Sequence, residues 1–268
     1  MTLKAIKDKT KKKNINRVAM AVIAMMLMLP AAFTARAHEF KNEALTYDVT
    51  YKWGLVRKKA GTAQITLIKS GDKYYSKLTG KTEPWADRIY MVRDTLNGVM
   101  HHDLTPISYE KIAREGNSYK HDVVKFSYPS ENCVNGQCTR VEYKDKKLKK
   151  DEKRELQAMG KTVDMLSAFY YMRTLPFEKW QKGHADKTTI FSGKRKETLS
   201  LKYQGTEEVK LDDRKFRCYH VTFIFTSEGG KKTSDDMDAW ITADERRIPV
   251  KLQGNLAVGK VMCLYTGR

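Results

Sequence analysis

"LTYDVTYKW", residues 45–53, decides how this chain is read. Leu45, Tyr47, Val49, Tyr51 and Trp53 alternate with Thr46, Asp48, Thr50 and Lys52, giving one apolar and one polar face. Successive strand side chains point to opposite sides, so period-two patterning over nine residues marks a half-buried β-strand. The pattern continues outward. "GTAQITLI" (61–68) follows a basic turn, and "KYYSKLTG" (73–80) follows the turn signal "SGD". "TLNGVMHHDLTPISYEKIAR" (95–114) reads as a strand, a turn at "DLTP" and a second strand. Toward the other end come "FRCYHVTFIF" (216–225), "MDAWIT" (237–242), "IPVKLQG" (248–254) and "GKVMCLYT" (259–266). Short β-rich runs spaced by Gly, Asp, Asn and Pro predict a mainly β protein. The expected form is a large curved antiparallel sheet, or a partly closed barrel-like meander.

One segment breaks the alternation. "KTVDMLSAFYYMRTLPF" (161–177) carries apolar residues at helical spacing nearly all round, so it predicts one buried helix at about 162–175. Thr162 is a candidate N-cap, Asp164 suits the first turn, and Pro176 ends the run. A weaker helix is expected around "EPWADRIY" (83–90). A lone helix among strands packs most simply on the concave face of the sheet. Its Asp164 and Arg173 have two readings: a cap and an exposed C-terminal Arg, or buried polar groups facing a ligand cavity.

The first 37 residues differ from the rest. "MTLKAIKDKTKKKNINR" is basic, Val18–Leu29 are twelve apolar residues, and Ala35 and Ala37 precede His38. That order is a secretory signal peptide with cleavage between Ala37 and His38. Twelve residues rise only about 18 Å as a helix, short of a ~30 Å hydrocarbon core. The expected product is a single β-rich domain over 38–268, exported to the periplasm or secreted, and not transmembrane after cleavage. The segment holds eight Lys or Arg and one Asp, so its removal takes the formal charge from +19 to +12. A basic surface favours anionic lipid heads or acidic glycans. Nucleic acid does not fit an exported chain, and no nucleic-acid motif occurs. The densest charge run, "YKDKKLKKDEKRE" (143–155), reads as a solvated loop or hairpin tip.

Export would place the four cysteines where disulfides persist. In "CVNGQC" (133–138) the Asn135-Gly136 pair signals a tight hairpin turn, which would set Cys133 opposite Cys138 for a disulfide. Cys218 and Cys263 lie in apolar strands, as buried thiols or a second bridge if their strands are neighbours. "HHD" (101–103) sends His101 and His102 to opposite faces of a strand, which argues against a shared metal ion. No G-x-S-x-G, H-E-x-x-H, phosphate-loop or dinucleotide pattern occurs, so no catalytic, cofactor-binding or metal-ligating residue is assigned. The aromatic supply reads as core or as cavity lining. Trp53, Tyr170, Tyr171 and Trp240, with Arg173, are the candidate lining residues. "ADERR" (243–247), between two strands, reads as a polar hairpin tip in which Asp244 makes an Asx turn.

Three segments together carry a family resemblance. "EALTYDVTYKWGLVRKKAGTAQI" resembles the opening strands of the domain of unknown function 3108 family. "VDMLSAFYYMRTLPF" resembles its Asp-x-Leu-Ser-x-x-Tyr-x-x-Arg helix, and "AWITADERRIPVKLQGNLAVGKVMCLY" its Trp-x-x-x-Asp-x-x-Arg-x-Pro hairpin and last strand. The resemblance covers about residues 40–266. It implies an exported bacterial envelope protein, largely antiparallel β, and brings no reaction or catalytic residues with it. The last segment is more loosely similar to periplasmic lipoprotein carriers, which shelter acyl chains in a curved sheet. The function expected is non-catalytic binding or assembly of a lipid, lipid-linked or glycan ligand. A structural domain that binds an envelope protein partner is the alternative, and an envelope hydrolase a weaker one.

Overall fold

The computed structural model describes residues 39–234, 236–255 and 259–267. The chain divides into two units, 1–39 and 40–268, and the fold below is that of the second. The expected signal segment 1–37 and its expected Ala37–His38 cleavage point lie outside the described residues.

The first half is a run of hairpins: β1 (Glu43–Trp53), β2 (Val56–Ser70), β3 (Lys73–Thr82), helix α1 (Pro84–Tyr90), β4 (Val92–His101), β5 (Pro106–Glu115), β6 (Ser118–Ser130), β7 (Cys133–Lys144) and β8 (Lys147–Met159). Next come β9 (Thr162–Val163), helix α2 (Met165–Thr174), a short 3-10 turn (Phe177–Lys179) and β10 (Ala185–Phe191). The chain closes with β11 (Lys196–Leu211), β12 (Arg214–Ser227), β13 (Met237–Thr242), β14 (Pro249–Asn255) and β15 (Lys260–Tyr265). Among the described residues, all fifteen strands join one sheet, ordered from β8 back to β1 and then from β15 back to β9. Neighbours are antiparallel except β9 and β10, which are parallel.

This order explains the near-closed barrel. The first and last strands pair at the middle of the sheet, Tyr47 opposite Tyr265. The two edges, β8 and β9, are consecutive in the chain with only Gly160 and Lys161 between them. The sheet must therefore curl until its edges meet. Natural twist supplies the curvature, and bulges at Val49/Thr50, Glu142/Tyr143 and Tyr203/Gly205 sharpen it. The seam is bridged from side chain to backbone: Lys196 Nζ donates to the Gln157 carbonyl at 3.1 Å and Arg154 to that of Lys194 at 3.3 Å. The charge-dense run 143–155 turns at Asp145–Lys146 and continues as edge strand β8. Lysines along an unpaired edge oppose strand addition by other chains.

Helix α2 fills the inside. Leu166, Ser167, Ala168, Tyr170, Tyr171, Met172 and Arg173 are all buried. Full burial of a Leu such as Leu166 stabilises the fold by about 2 kcal/mol. Two glycines admit the interior groups. A Cβ on Gly98 would sit 3.3 Å from Leu166 Cδ1, and one on Gly136 would meet the Phe191 ring at 2.6 Å.

Several expectations need correction. Asn135-Gly136 is no turn: β7 runs straight through "CVNGQC", and the β6–β7 turn lies at Glu131–Asn132. The glycine is there because Phe191 packs on it. Cys133 and Cys138 are thus five steps apart on one strand, about 17 Å, and on opposite faces, beyond the reach of a disulfide. Both are free thiols. Cys218 and Cys263 are also free, on β12 and β15 with two strands between them. The helix starts at Met165, with Asp164 as its cap and Thr162 in β9. Trp53 is the last residue of β1 and is 61% exposed beside the β1–β2 turn, not inside the sheet.

Candidate functional site

The helix residues proposed as cavity lining form a closed structural knot instead. The Asp164 carboxylate accepts from the backbone N–H of Leu166 (2.7 Å) and Ser167 (3.0 Å) and from Ser167 Oγ (2.7 Å), a full capping box. Burial nonetheless holds its pKa above the ordinary value, against those hydrogen bonds. Tyr170 is fully buried, edge-on to Phe40 and Phe169, with its hydroxyl accepting from Ser76 at 3.3 Å. The Tyr171 hydroxyl donates to Asp186 at 2.5 Å.

Arg173 is 1% exposed. Its guanidinium binds the Glu43 carboxylate in bidentate fashion and donates to the carbonyls of Arg246 and Arg247, each at 2.9 Å. The ring of Phe40 lies 4.7 Å away, with Phe169 and Tyr170 also against it. The charge meets protein partners on every side, so neither reading of Arg173 holds: it is neither exposed nor facing a cavity. The "ADERR" tip is the other half of the knot. Asp244 makes the expected turn, accepting from the N–H of Arg246 (3.1 Å) and Arg247 (3.2 Å) and from Thr242 Oγ1 (2.6 Å). Arg247 does not neutralise its neighbours; it pairs with Glu178 at 2.7 Å, donates to the Leu175 carbonyl and stacks on Tyr219. Helix motif and hairpin motif therefore serve each other, which no local pattern could reveal.

A long groove lies on the other face of the sheet. Strand pairing places one row of side chains across its outside: His220 beside Trp240, then Lys251, Leu264, Asp48 and Thr62. The row continues through Lys81 and Arg93 to Arg114. A parallel row holds Thr46, Gln64, Thr79, Thr95 and Ile112. The far ends of β11 and β12 extend past β13 as a two-stranded arm that folds over the first part of these rows. Three contacts fix the arm: Trp240 Nε1 donates to Glu207, Arg214 to the Tyr265 carbonyl, and the Ala243 N–H to the Arg217 carbonyl. Between arm and sheet runs a groove of about 790 Å³ that Thr46, Asp48, Thr50, Lys59, Glu207 and Trp240 help to line. A second groove of about 690 Å³ shares Thr46 and Thr62 and runs on toward Thr95 and Arg114. Each is within the size range of ligand sites.

Several of the groove's charges have partners. Lys59 meets Asp48 at 2.6 Å. The Lys251 ammonium sits 3.8 Å above the Trp240 ring, and burial lowers its pKa. His220 stacks on the opposite face of Trp240, with Nε2 at 2.8 Å from Asp238 and Nδ1 at 3.6 Å from Glu207. Both imidazole nitrogens face carboxylates, so neither is free to serve as a base on a substrate. Among the described groove residues, no nucleophile stands beside a free imidazole. Among the described residues no three His, Cys, Asp or Glu side chains come together to hold a metal ion. His101, His102 and His121 lie apart: near Asp72, tilted against the Tyr74 ring, and paired with Glu110.

Of the candidate lining residues, Trp240 alone borders this groove; Tyr170, Tyr171 and Arg173 are core, and Trp53 is exposed. The threonines 46, 50 and 62 and the charged pair Asp48–Lys59 were missed. Their signal was the polar half of the alternation in "LTYDVTYKW", which looked like plain solvent-facing sheet.

The family model described as "Protein of unknown function (DUF3108)" matches residues 46–264. No curated protein matches. Among solved structures, a beta-barrel-like protein of the DUF1849 domain of unknown function from Brucella abortus is similar, with a TM-score of 0.58 at 11% identity. The likeness covers 86% of this chain and 98% of that one. It supports the barrel-like architecture and nothing beyond it.

Proposed function

For a chain that belongs to the DUF3108 family of proteins of unknown function, we propose the role of an exported, non-catalytic binding domain of the cell envelope. Its ligand is hydroxyl-rich, of glycan type, and lies across the outside of the sheet beneath the β11–β12 arm. One observation carries this reading: the two outer grooves share Thr46 and Thr62, making an extended polar tract edged by Trp240 and basic side chains. Such a tract offers hydroxyl, carboxylate and ammonium groups to a polymer's hydroxyls, with many modest hydrogen bonds each worth about 1 kcal/mol. An acyl chain needs an apolar enclosure, and the barrel interior beside α2 is occupied by Tyr74, Tyr109, Tyr170 and Phe191. Export rests on the signal-like segment 1–37, with the periplasm as destination and secretion as the alternative.

Calorimetric titration with neutral and acidic oligosaccharides tests the proposal. Binding that Thr62→Trp abolishes supports it, because an indole at position 62 would fill the junction of the two grooves. Wild-type protein that takes up extracted lipid and no oligosaccharide would sink it. Among the described residues no helix is long and apolar enough to cross a membrane.

A further inference from the structure

One rim of the barrel carries an exposed apolar arc set in basic residues. It comprises the β1–β2 turn, α1, the β5–β6 turn and the β7–β8 turn, which the antiparallel order places at the same end. The four are physically joined. Trp85 Nε1 donates to the Lys59 carbonyl at 2.8 Å, tying α1 to β2. The Gly116 N–H donates to the Met91 carbonyl at 2.8 Å, and the Asp145 N–H to that of Asn117 at 3.1 Å. Along this arc Leu55 is 104% exposed, Ile89 78% and Val56 57%, and Trp53, Tyr90 and Leu148 are more than half exposed. A contiguous apolar set of this size on a rim marks an interaction surface rather than scattered surface residues. The charge around it is mainly positive. "KWGLVRK" (52–58) holds three basic residues and no acid, and "YKDKKLK" (143–149) four lysines against one aspartate. Three of the acids nearby are engaged: Asp87 with Arg93, Glu115 with Lys120, and Asp145 with the Asn117 amide.

We propose that this rim docks on an anionic phospholipid bilayer. Leu55, Val56 and Ile89 enter the headgroup–acyl boundary, Trp53 and Tyr90 sit at headgroup level, and the lysines of 144–149 meet lipid phosphates. Shallow apolar insertion combined with a polybasic surface is how peripheral proteins hold reversibly to such membranes. Docked in this way, the barrel keeps its outer groove along its flank, open to a ligand in the space beside the membrane. The proposal does not depend on what that groove binds.

Vesicle flotation tests it, with the protein recovered from an exporting host and its N-terminus read by intact mass. Expected is co-flotation with vesicles containing phosphatidylglycerol, at least tenfold weaker binding to pure phosphatidylcholine vesicles, and release by 0.5 M salt. Leu55→Asp with Val56→Asp should lower the bound fraction at least tenfold while far-UV circular dichroism is unchanged. Ile68→Asp at the opposite rim should leave it unaltered. If the double variant fails to fold, Lys147→Glu with Lys149→Glu, on exposed hairpin positions, must give the same loss. Equal binding to neutral vesicles, or binding indifferent to these rim changes, would overturn the proposal. That second result would also be the outcome if residues 18–29 were retained and were the membrane contact.

Discussion

Replacing Arg173 by Ala probes the joint on which the family motifs converge. The guanidinium is 1% exposed and holds Glu43, whose side chain is 16% exposed, together with two backbone carbonyls. Truncation leaves a largely desolvated carboxylate without its cation. Removing one partner of a buried pair costs about 3–5 kcal/mol. For a domain of this size each kcal/mol lowers Tm by roughly 2–4 °C, so the expected fall is about 6–20 °C. Urea unfolding followed by circular dichroism would give the free energy directly. The damage should be concentrated in the stranded charge, so Glu43→Ala added to Arg173→Ala should cost little further or restore stability. A single variant within about 1 kcal/mol of wild type, or two substitutions whose effects simply add, would refute the knot, since contacting residues couple.

Other outcomes follow from the same geometry. Gly136→Val should destabilise by about 1–3 kcal/mol or more through overpacking against Phe191, read as a shift of the urea midpoint; a neutral result would mean that β7 does not pack on β10 as described. Burial holds the Cys138 and Cys263 thiols up at about 11 and that of Cys218 at about 12. Iodoacetamide at pH 8 should therefore modify partly exposed Cys133 first and all four thiols only in denaturant; an intact mass short by two hydrogens would contradict the strand register. Asp164 has a folded pKa raised above its ordinary 3.8 by burial, so the folded state keeps its proton longer than the unfolded chain. Its ionisation then costs stability as pH rises through the window above 3.8, and below that window the cost vanishes. Asp164→Asn keeps a capping oxygen, and should match wild type at low pH and exceed it at pH 7; a wild-type advantage growing with pH would show the opposite sign.

Local patterns carried much of the fold. Alternation in 45–53 and the helix spacing in 163–173 depend on neighbours in sequence, so the strands, the buried helix and the "DLTP" and "ADERR" turns were legible. Where tertiary contact decided, the sequence misled. Asn135-Gly136 carries strong turn chemistry, yet the glycine answers a ring from a strand more than fifty residues away. Trp53 reads as inward-facing because an alternating string does not mark where a strand leaves the core for its turn. Arg173 reads as exposed or as cavity-lining because its partners, Glu43, Arg246 and Arg247, lie about 70–130 residues distant. The groove was least legible, since it forms only when the β11–β12 arm folds over the polar faces of distant strands.

The most direct test of the binding role is to locate a bound oligosaccharide on the protein by NMR chemical-shift mapping. The account predicts shifts concentrated at Thr46, Asp48, Thr62 and the Trp240 indole N–H, with α2 and the Arg173 knot unmoved. Shifts centred on Tyr170, Tyr171 and the barrel interior, or none for any oligosaccharide, would contradict it.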